Sequence, residues 1–386
     1  MVRREEGKSK KIILKWMPGE TTRVYSPLFA VQRKIERKFI RMKKTVIFLL
    51  LALLCLCGCG EQSGQKEKQS KKATKEVFAM DTYMTITTYG EKAEAAATKA
   101  VSEIERLDNL LSTGKDESEI AILNENGSEI VSEDTAQLIA KSMELYQDTN
   151  GVFDISIYPL MKEWGFTTKK YKVPSDKTIN HLLKNIDASK IEWNNKTNLA
   201  ALPEGMEIDL GGIAKGYTSN RLTQIFKEYQ LTGGVLSLGG NVQTYGTKED
   251  GSKWKIAIEN PSNSPLSGDY LGVLKTGNMA VITSGGYERY FEKNGKTYHH
   301  ILDPATGKPA NHGVISATIV SKDGTLADGL STSLFIMGKE KAVQYWKKHK
   351  EQFDFVLLLK DGTIVISEGI EKIFTSDFDY EVVRDE

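Results

Sequence analysis

The chain has 386 residues, a formal net charge of +1 at pH 7 and three cysteines. A nearly neutral chain gives no reason to expect nucleic acid as a partner. All three cysteines lie between residues 55 and 59, so the rest of the chain has neither a disulfide nor a thiol nucleophile. About 310 residues follow residue 75, enough for one large or two small hydrophobic cores.

Residues 42–59 have the pattern of a secretory signal. Two lysines follow Met42, an apolar run comes next, and the segment ends in Leu-Cys-Gly-Cys. The run is short for a transmembrane helix, so a cleaved signal is favoured over an uncleaved anchor, which is the alternative. The ending resembles a bacterial lipobox, which implies that Cys59 is lipidated and becomes the mature N-terminus. We therefore predict an extracytoplasmic protein, lipid-anchored to the cell membrane on its periplasmic or outer face.

The segments on either side of this signal differ from a folded domain. Residues 1–41 are basic, lack an apolar period and precede a complete signal, so we interpret them as an extension from a mis-called start codon. Residues 60–75 are rich in Lys, Gln, Ser and Glu, cannot bury enough surface to fold, and are predicted to be a flexible tether. The folded part is predicted over residues 76–386 as a single large domain, with a two-lobed form as the alternative.

Hydrophobic periodicity and turn residues predict helices and strands in mixed order. In chain order, helices are predicted over 93–111, 116–124, 132–148, 213–229, 325–337 and 339–349. Strands are predicted over 77–89, 206–210, 234–238, 254–259, 271–275 and 279–284, with hairpins at Asn294-Gly295 and Asp361-Gly362. This non-repeating order predicts an α+β fold with mixed, largely antiparallel sheets and packed helices, rather than a doubly wound parallel sheet.

A glycine turn between a strand and a helix, within Asp209–Tyr217, is a candidate binding element. Backbone N–H groups at such a turn suit an anionic group, and glycines allow close approach. The alternative is a tight connection without a ligand, because the spacing matches neither a P-loop nor a dinucleotide fingerprint.

Three further positions carry candidate chemistry. Asp328 and Thr332 stand four residues apart near a helix start; as hard oxygen ligands they suit Mg²⁺ or Ca²⁺, with helix capping as the alternative. His300 precedes the run Ile301–Pro309 and could be a general base or a hairpin histidine. Ser284, before two glycines, could hold a ligand or merely end a strand, and it lacks the setting of a serine hydrolase.

Eight runs, taken in order, resemble the ApbE-type family of FAD:protein FMN transferases, which are periplasmic or surface lipoproteins. They extend over residues 76–376 and comprise Met80-Asp81-Thr82, Leu111-Ser112-Thr113 with Ser118-Glu119-Ile120, Gly151–Asp154, Asp209–Tyr217, Ser237–Asn241, Thr283–Gly285, His300–Pro309 and Ala327–Thr332. Their order makes coincidence an inadequate explanation. The resemblance implies an ApbE-like α+β domain.

The resemblance also implies an activity and its residues. It implies Mg²⁺-dependent transfer of FMN from FAD to a Thr or Ser hydroxyl of an acceptor protein through a phosphoester bond, with release of AMP. His300 would deprotonate that hydroxyl, and Asp328, Thr332 and the Gly212 carbonyl would bind Mg²⁺. FAD contacts are implied for Met80, Val152, Phe153, Asp154, Asp209, Lys215 and Leu302. The implied acceptor is a redox protein with a flavinylation segment similar to Asp-Gly-x-[Ser/Thr]-Gly-Ala-[Ser/Thr].

The chain departs from some relatives at three positions, and these keep alternatives open. Gly114 replaces an aromatic residue near the flavin, Lys215 replaces Glu, and Ser331 replaces Asp beside the metal. Loss of the aromatic surface would leave room for water, so an FAD pyrophosphatase giving FMN and AMP is one alternative. A non-catalytic flavin-binding lipoprotein is the other, although the presence of Asp328, Thr332 and His300 argues against a dead site.

Overall fold

The computed structural model describes residues 71–385. The predicted extension (1–41), the predicted signal (42–59) with Cys59, and residues 60–70 of the predicted tether lie outside the described residues. Strand β1 begins at Lys72, four residues before the predicted start of the folded part at residue 76. Within the described part, no helix is both long enough and apolar enough to cross a membrane.

Helices and strands alternate irregularly along residues 71–385. The helices are α1 (Ala93–Leu111), α2 (Glu119–Asn126), α3 (Glu133–Asp148), α4 (Tyr158–Trp164), α5 (Asp176–Leu182), α6 (Ala214–Glu228) and α7 (Gly324–His349). The strands are β1 (Lys72–Ala79), β2 (Thr82–Tyr89), β3 (Ser128–Ile130), β4 (Glu192–Asn194), β5 (Leu199–Ala201), β6 (Gly233–Leu238), β7 (Asn241–Gly246), β8 (Trp254–Glu259), β9 (Tyr270–Thr276), β10 (Ala280–Gly285), β11 (Tyr290–Lys293), β12 (Lys296–His299), β13 (Leu302–Asp303), β14 (Lys308–Pro309), β15 (Val314–Ser321), β16 (Phe353–Leu359), β17 (Ile364–Ser367), β18 (Phe374–Thr375) and β19 (Tyr380–Val383).

Nine of these strands form the main sheet, in the order β1-β2-β6-β7-β10-β15-β16-β17-β19. Every neighbouring pair is antiparallel except β17 and β19, which are parallel. Two three-stranded sheets, β18-β9-β8 and β3-β5-β4, and the hairpins β11-β12 and β13-β14 complete the described strands. The predicted α+β class with largely antiparallel sheets is confirmed.

The main sheet is buried on both faces. Successive side chains of a strand point to opposite sides, and both sets are packed here. Leu236 and Leu238 pack with α1 and α6 on one face. Val235 points the other way and packs with Trp254 and Leu274 of the smaller sheet. Helices and a second sheet therefore enclose the central strands, and the loops at the strand ends remain available for a site.

Residues 77–89, predicted as one strand, form two strands joined by the turn Met80-Asp81. Both turn residues have positive φ, 49° and 58°, the geometry of a type I′ hairpin turn. Glycine and asparagine usually supply this geometry, so the sequence carries no turn signal here. The Met80 amide donates to Asp108 Oδ1 at 2.8 Å, which helps to hold the turn.

Residues 206–210, predicted as a strand, form an irregular segment. The Asn124 side chain donates to the Ile208 carbonyl at 2.8 Å and accepts from the Ile208 amide at 2.7 Å. This side-chain amide takes the hydrogen bonds that a neighbouring strand would otherwise make. The prediction of a strand was therefore wrong, although the segment still leads into α6.

Helix α7 is broken at Gly338, where φ is 75° and ψ is 172°. The predicted helices 325–337 and 339–349 correspond to its two halves. A Cβ at position 338 would lie 2.8 Å from the carbonyl oxygen of His312. Glycine is therefore required by both the backbone conformation and the close approach.

Candidate active site

The candidate site lies at one end of the main sheet, where two turns and the end of β10 meet. The β6–β7 turn packs against the β1–β2 turn, since a Cβ at position 239 would lie 2.7 Å from Thr82 Cβ. The Thr283 amide of β10 points to the Gly240 carbonyl at 3.5 Å. The first turns of α6 and α7 reach the same end of the sheet through Asp328, which Asn241 of β7 faces.

Helices α6 and α7 touch at a glycine. A Cβ at position 216 would overlap the Gly324 carbonyl and lie 2.6 Å from Asp328 Cβ. This close approach lets the Gly216 amide donate to Asp328 Oδ2 at 2.8 Å. Asp323 caps α7 by accepting from the amides of Thr325 and Leu326. Asp328 therefore does not cap its own helix; its carboxylate instead accepts from an amide in the first turn of α6.

The Asp328 carboxylate is buried. Burial raises its pKa, while Lys215, the Gly216 amide and the Asn241 amide act in the opposite direction. The buried Nδ2 atom of Asn241 is directed to this carboxylate. A buried carboxylate beside a cation and polar amides is typical of a ligand-binding position.

A group of hydroxyls continues the site along α7. Ser284 Oγ at the end of β10 lies 2.7 Å from Ser331 Oγ and 3.2 Å from Thr332 Oγ1. Ser331 Oγ also donates to the Asp328 carbonyl at 2.8 Å. Because Ser331 is buried and used internally, Thr332, which is only partly buried, is the better placed hydroxyl for a ligand. Ser284 therefore lies against Thr332, one of the positions with an implied metal contact.

The Phe153 ring brings the turn before α6 against α7. A Cβ at Gly212 would lie 3.3 Å from Phe153 Cε2, and a Cβ at Gly329 would lie 3.5 Å from the same atom. Gly212 is consequently close to the helix that carries Asp328 and Thr332. The three positions offer a carbonyl, a carboxylate and a hydroxyl, a set of hard oxygen donors that suits Mg²⁺.

This donor set fits magnesium only together with a substrate. Among residues 71–385, no group of three or more His, Cys, Asp or Glu could hold a metal ion. Mg²⁺ usually retains waters and takes substrate phosphates as ligands, so one carboxylate is sufficient for it. Zinc would require nitrogen or sulfur ligands that these positions do not provide.

His300 directly follows β12 and is held in one orientation. Its Nδ1 lies 3.1 Å from the Arg289 carbonyl, and its amide donates to the same carbonyl at 3.0 Å. A carbonyl can only accept, so Nδ1 carries the proton and Nε2 presents a lone pair. Burial, Arg289, His299 and Lys215 lower the pKa of His300 well below 6.5. The imidazole is therefore neutral at pH 7, the state that a general base requires.

The neighbouring His299 has a different environment. Its Nε2 lies 3.0 Å from the Ala310 carbonyl, and its ring packs edge-on against Phe335 at 5.4 Å. Burial lowers its pKa as well. His299 thus supports the fold, while His300 faces the charged groups of the site.

Sequence reasoning missed Glu288 and Arg289. Burial raises the pKa of Glu288 to about 7, with Lys215 and Arg289 acting in the opposite direction and Asp328 in the same one. Its Oε1 would lie 3.4 Å from a Cβ at Gly240. Both residues follow the run that was noted for Ser284 and its glycines, and this adjacency was the only signal that could have found them.

The positions with implied FAD contacts divide into two groups. Phe153, Asp209 and Lys215 border the site. Phe153 contacts Gly212, and Lys215 acts on the pKa values of Asp328 and His300. Burial raises the pKa of Asp209, and Arg289 acts in the opposite direction. Met80 joins them through the turn beside Thr82, with its Sδ 3.8 Å from Thr218 Oγ1.

The other three positions face the protein interior. Asp154 Oδ1 accepts from the amide and hydroxyl of Ser156 at 2.8 and 2.6 Å, so its carboxylate caps a short 3₁₀ helix. Leu302 is buried with Trp164 in an aromatic cluster. Val152 packs against the same core as Phe153.

Comparisons with known proteins agree with this geometry. The ApbE family model matches residues 80–357. The FAD:protein FMN transferase of Vibrio cholerae is 31% identical over 324 residues, which cover 81% of this chain and 93% of that protein. The protein of the same name from Klebsiella pneumoniae is 32% identical over 297 residues, with coverages of 75% and 90%.

Solved structures give the same result. The ApbE protein of Thermotoga maritima superposes with a TM-score of 0.73 at 32% identity and covers 78% of this chain and 99% of its own. The flavinyl transferase ApbE of Pseudomonas stutzeri has a TM-score of 0.72 at 24% identity, with coverages of 81% and 100%, and supports the fold alone. On the sequence match, the fold and the order of its site elements, this chain belongs to the ApbE family.

Proposed function

We propose that this protein transfers FMN from FAD to a Thr or Ser hydroxyl of an acceptor protein, forming a phosphoester bond and releasing AMP. The names of the relatives support transfer of FMN from FAD to protein. In the structure, the observation that carries the proposal is the orientation of His300: the Arg289 carbonyl, 3.1 Å from Nδ1, leaves Nε2 as the proton acceptor. Burial lowers the pKa of His300, Arg289 and Lys215 act in the same direction, and the same Lys215 acts on Asp328. The proposed base and the proposed metal ligand thus face one cation.

The transfer step assigns His300 Nε2 the proton of the acceptor hydroxyl. As that proton moves to Nε2, the hydroxyl oxygen bonds to the phosphorus of the FMN half of FAD. The bond from this phosphorus to the bridging oxygen breaks, and its electron pair leaves with AMP. The protein contributes mainly positioning and charge in such phosphoryl transfers.

The residues around Asp328 stabilise the charge of the diphosphate. Mg²⁺, held by Asp328, Thr332 and the Gly212 carbonyl, would neutralise phosphate charge when bound. Lys215 adds a positive charge of its own beside Asp328. Because some relatives have Glu where this chain has Lys215, we propose that this chain relies more on its own cation to hold the nucleotide.

Hydrolysis of FAD to FMN and AMP is the second candidate, and Gly114 favours it. A Cβ at position 114 would meet only Ser112 Oγ, at 3.8 Å, so the space is open. The neighbouring Lys115 pairs with Asp108, which also holds the Met80 turn. Water that enters here would reach the side of the pocket where the resemblance implies the flavin lies.

The location remains part of the proposal. The signal pattern of residues 42–59 supports lipidation at Cys59 and an extracytoplasmic position at the membrane. Such a position would bring the enzyme to secreted or membrane redox proteins as acceptors.

The test incubates the full chain with FAD and an acceptor domain that bears the flavinylation segment, with Mg²⁺ or a chelator. FMN bound covalently to the acceptor, with free AMP and loss of both under chelation, would support the transferase. Free FMN and AMP independent of acceptor would make the protein a pyrophosphatase. Intact FAD in every sample would leave a flavin-binding lipoprotein.

A further inference from the structure

Exposed aromatic side chains concentrate around the candidate active site. Among residues 71–385, six large hydrophobic side chains are strongly exposed. Four are aromatic and are named here the aromatic rim: Phe78 (59% exposed), Tyr83 (65%), Tyr171 (43%) and Tyr290 (49%). The other two, Ile130 and Leu199, are cross-strand neighbours in the separate β3-β5-β4 sheet.

The first half of the aromatic rim flanks the Met80-Asp81 turn. Phe78 and Tyr83 are cross-strand neighbours, and their ring centroids lie 4.9 Å apart at 67°. Met84 is buried under the helices, so Tyr83 and Phe78 point to the opposite face of the sheet. The pair thus forms one apolar unit at the sheet end where the site lies.

The second half of the aromatic rim, Tyr171 and Tyr290, lies near His300. Tyr171 lies 5.8 Å from the Phe166 ring, and Phe166 lies 6.3 Å from the His300 ring. Tyr290 follows Arg289, whose carbonyl orients His300, and it pairs with His299 across the hairpin. Both tyrosines are consequently tied to the element that carries the proposed base.

Ion pairs join the two halves at Asp81. Lys169 Nζ lies 3.4 Å and an Arg289 guanidinium nitrogen 3.7 Å from the Asp81 carboxylate. Three segments therefore meet here: the β1–β2 turn, the loop 167–171 and the start of β11. Two cations share one carboxylate, and Lys170 beside them is exposed, so exposed cations stand next to the aromatic side chains here.

Single exposed apolar residues are ordinary, but a group around the mouth of a site marks an interaction surface. Resting on the proposed function, the acceptor hydroxyl must reach His300 Nε2 from outside the protein, through this mouth. We propose that the aromatic rim docks the polypeptide on either side of the acceptor hydroxyl. Its occupant is an extended segment of the acceptor protein, with apolar side chains for the rings and an acidic side chain for Lys169 and Arg289.

The chain offers a matched control for this proposal. The double variant Phe78→Ser with Tyr83→Ser removes an exposed cross-strand pair at the mouth. The double variant Ile130→Ser with Leu199→Ser removes an exposed cross-strand pair elsewhere. Tyr290→Ser, on a different hairpin, is an independent second test of the rim.

The substrates are two synthetic peptides that contain the flavinylation segment. One has only this core of about seven residues, and the other extends it to about twenty with leucines and aspartates, long enough to cross the rim at about 3.3 Å per residue. For the rim variants we expect a KM at least about tenfold higher for the long peptide, because aromatic anchors dominate such interfaces. The KM for the core peptide and kcat should stay unchanged, and the control variant should match the wild type with both peptides.

The opposite outcomes are distinguishable. An equal KM for the long peptide in rim and control variants, or no advantage of the long peptide in the wild type, would overturn the docking surface. Release of the rim variant from anionic vesicles, with KM unchanged, would reassign the rim to the membrane and overturn it equally. Failure of the wild type to modify any peptide would instead overturn the proposed function, and the docking surface with it.

Discussion

The charged residues at the floor of the candidate site, around Asp328, and those beside the aromatic rim, around Asp81, are held in different ways. On the floor, Asp328 is buried between two helices that touch at Gly216, and a backbone amide donates to its carboxylate. At the rim, the ion pairs of Asp81 with Lys169 and Arg289 are exposed and longer, at 3.4 and 3.7 Å.

The difference indicates a division of labour. A buried carboxylate fixed by backbone contacts keeps its geometry whether or not a ligand is present, which suits a metal and diphosphate site. Exposed ion pairs contribute about 0–1 kcal/mol and can rearrange, which suits contact with a flexible polypeptide. Four substitutions test this contrast, starting with the floor.

Asp328→Asn should give the largest effect, a loss of transfer of at least about a thousandfold. Asparagine keeps an oxygen for the Gly216 amide, so the helix contact survives while the charge is lost. Initial rates over a range of Mg²⁺ concentrations measure the loss, and thermal unfolding checks the fold. Activity that survives Asp328→Asn or Asp328→Ala undiminished would mean that the metal site is misassigned.

His300→Ala should slow transfer by about 10²–10⁴-fold and leave FAD binding largely intact, because it removes only the proton acceptor. Single-turnover transfer and titration of flavin fluorescence separate the two quantities. His299→Ala is the control, since its ring packs on Phe335 and should affect stability before chemistry. Unchanged transfer by His300→Ala would remove this residue from the mechanism.

Gly216→Ala tests the rigidity of the floor. Its Cβ would meet Gly324 and Asp328, and we expect the free energy of unfolding to fall by about 2–4 kcal/mol. Gly277→Ala is the comparison, because its Cβ would meet nothing within 4 Å and its φ lies outside the left-handed region. It should change stability by less than about 0.5 kcal/mol. Urea unfolding measures both, and equal stabilities would show that the helices can separate freely.

Arg289→Gln tests whether a cation beside the aromatic rim affects the pKa of His300. It should have the smallest effect. Arg289 lowers the pKa of His300 together with burial, His299 and Lys215, so the rate should persist below pH 6.5 and fall as the imidazole becomes protonated. Removal of one cation raises that pKa and moves the acid limb to higher pH, by less than about one unit. Burial raises the pKa of the nearby Glu288 to about 7, so Glu288 is the competing source of this acid limb. If His300 is responsible for the limb, Glu288→Gln leaves it in place. A limb at the same pH in Arg289→Gln would mean that another group controls it.

Local signals in the sequence predicted much of this structure. The spacing of apolar residues gave helix α1 its observed bounds, Ala93–Leu111. The Asn294-Gly295 hairpin has positive φ at both residues, 53° and 72°, because these residue types tolerate that conformation. The spacing of Asp328 and Thr332 placed two oxygens on one helix face, and the helix is present.

Features that depend on distant partners could not be predicted in this way. Asp154 is partly satisfied by Ala188, 34 residues along the chain. Residues 206–210 are kept from strand pairing by Asn124. Burial raises the pKa of Glu288, and Asp328 and Glu259, which are remote in sequence, act in the same direction. Such positions are set by tertiary packing, which a single sequence pattern does not encode.

The break at Gly338 determines how far a disturbance can travel along α7. A continuous helix of 26 residues would be a stiff rod about 39 Å long, and a push at His349 would tilt Asp328. With Gly338 between them, the segment that carries Asp328 and Thr332 is a rod of about 21 Å, anchored at its far end by Asp323. The second half of α7, which carries several lysines, can therefore be displaced without moving Asp328 and Thr332.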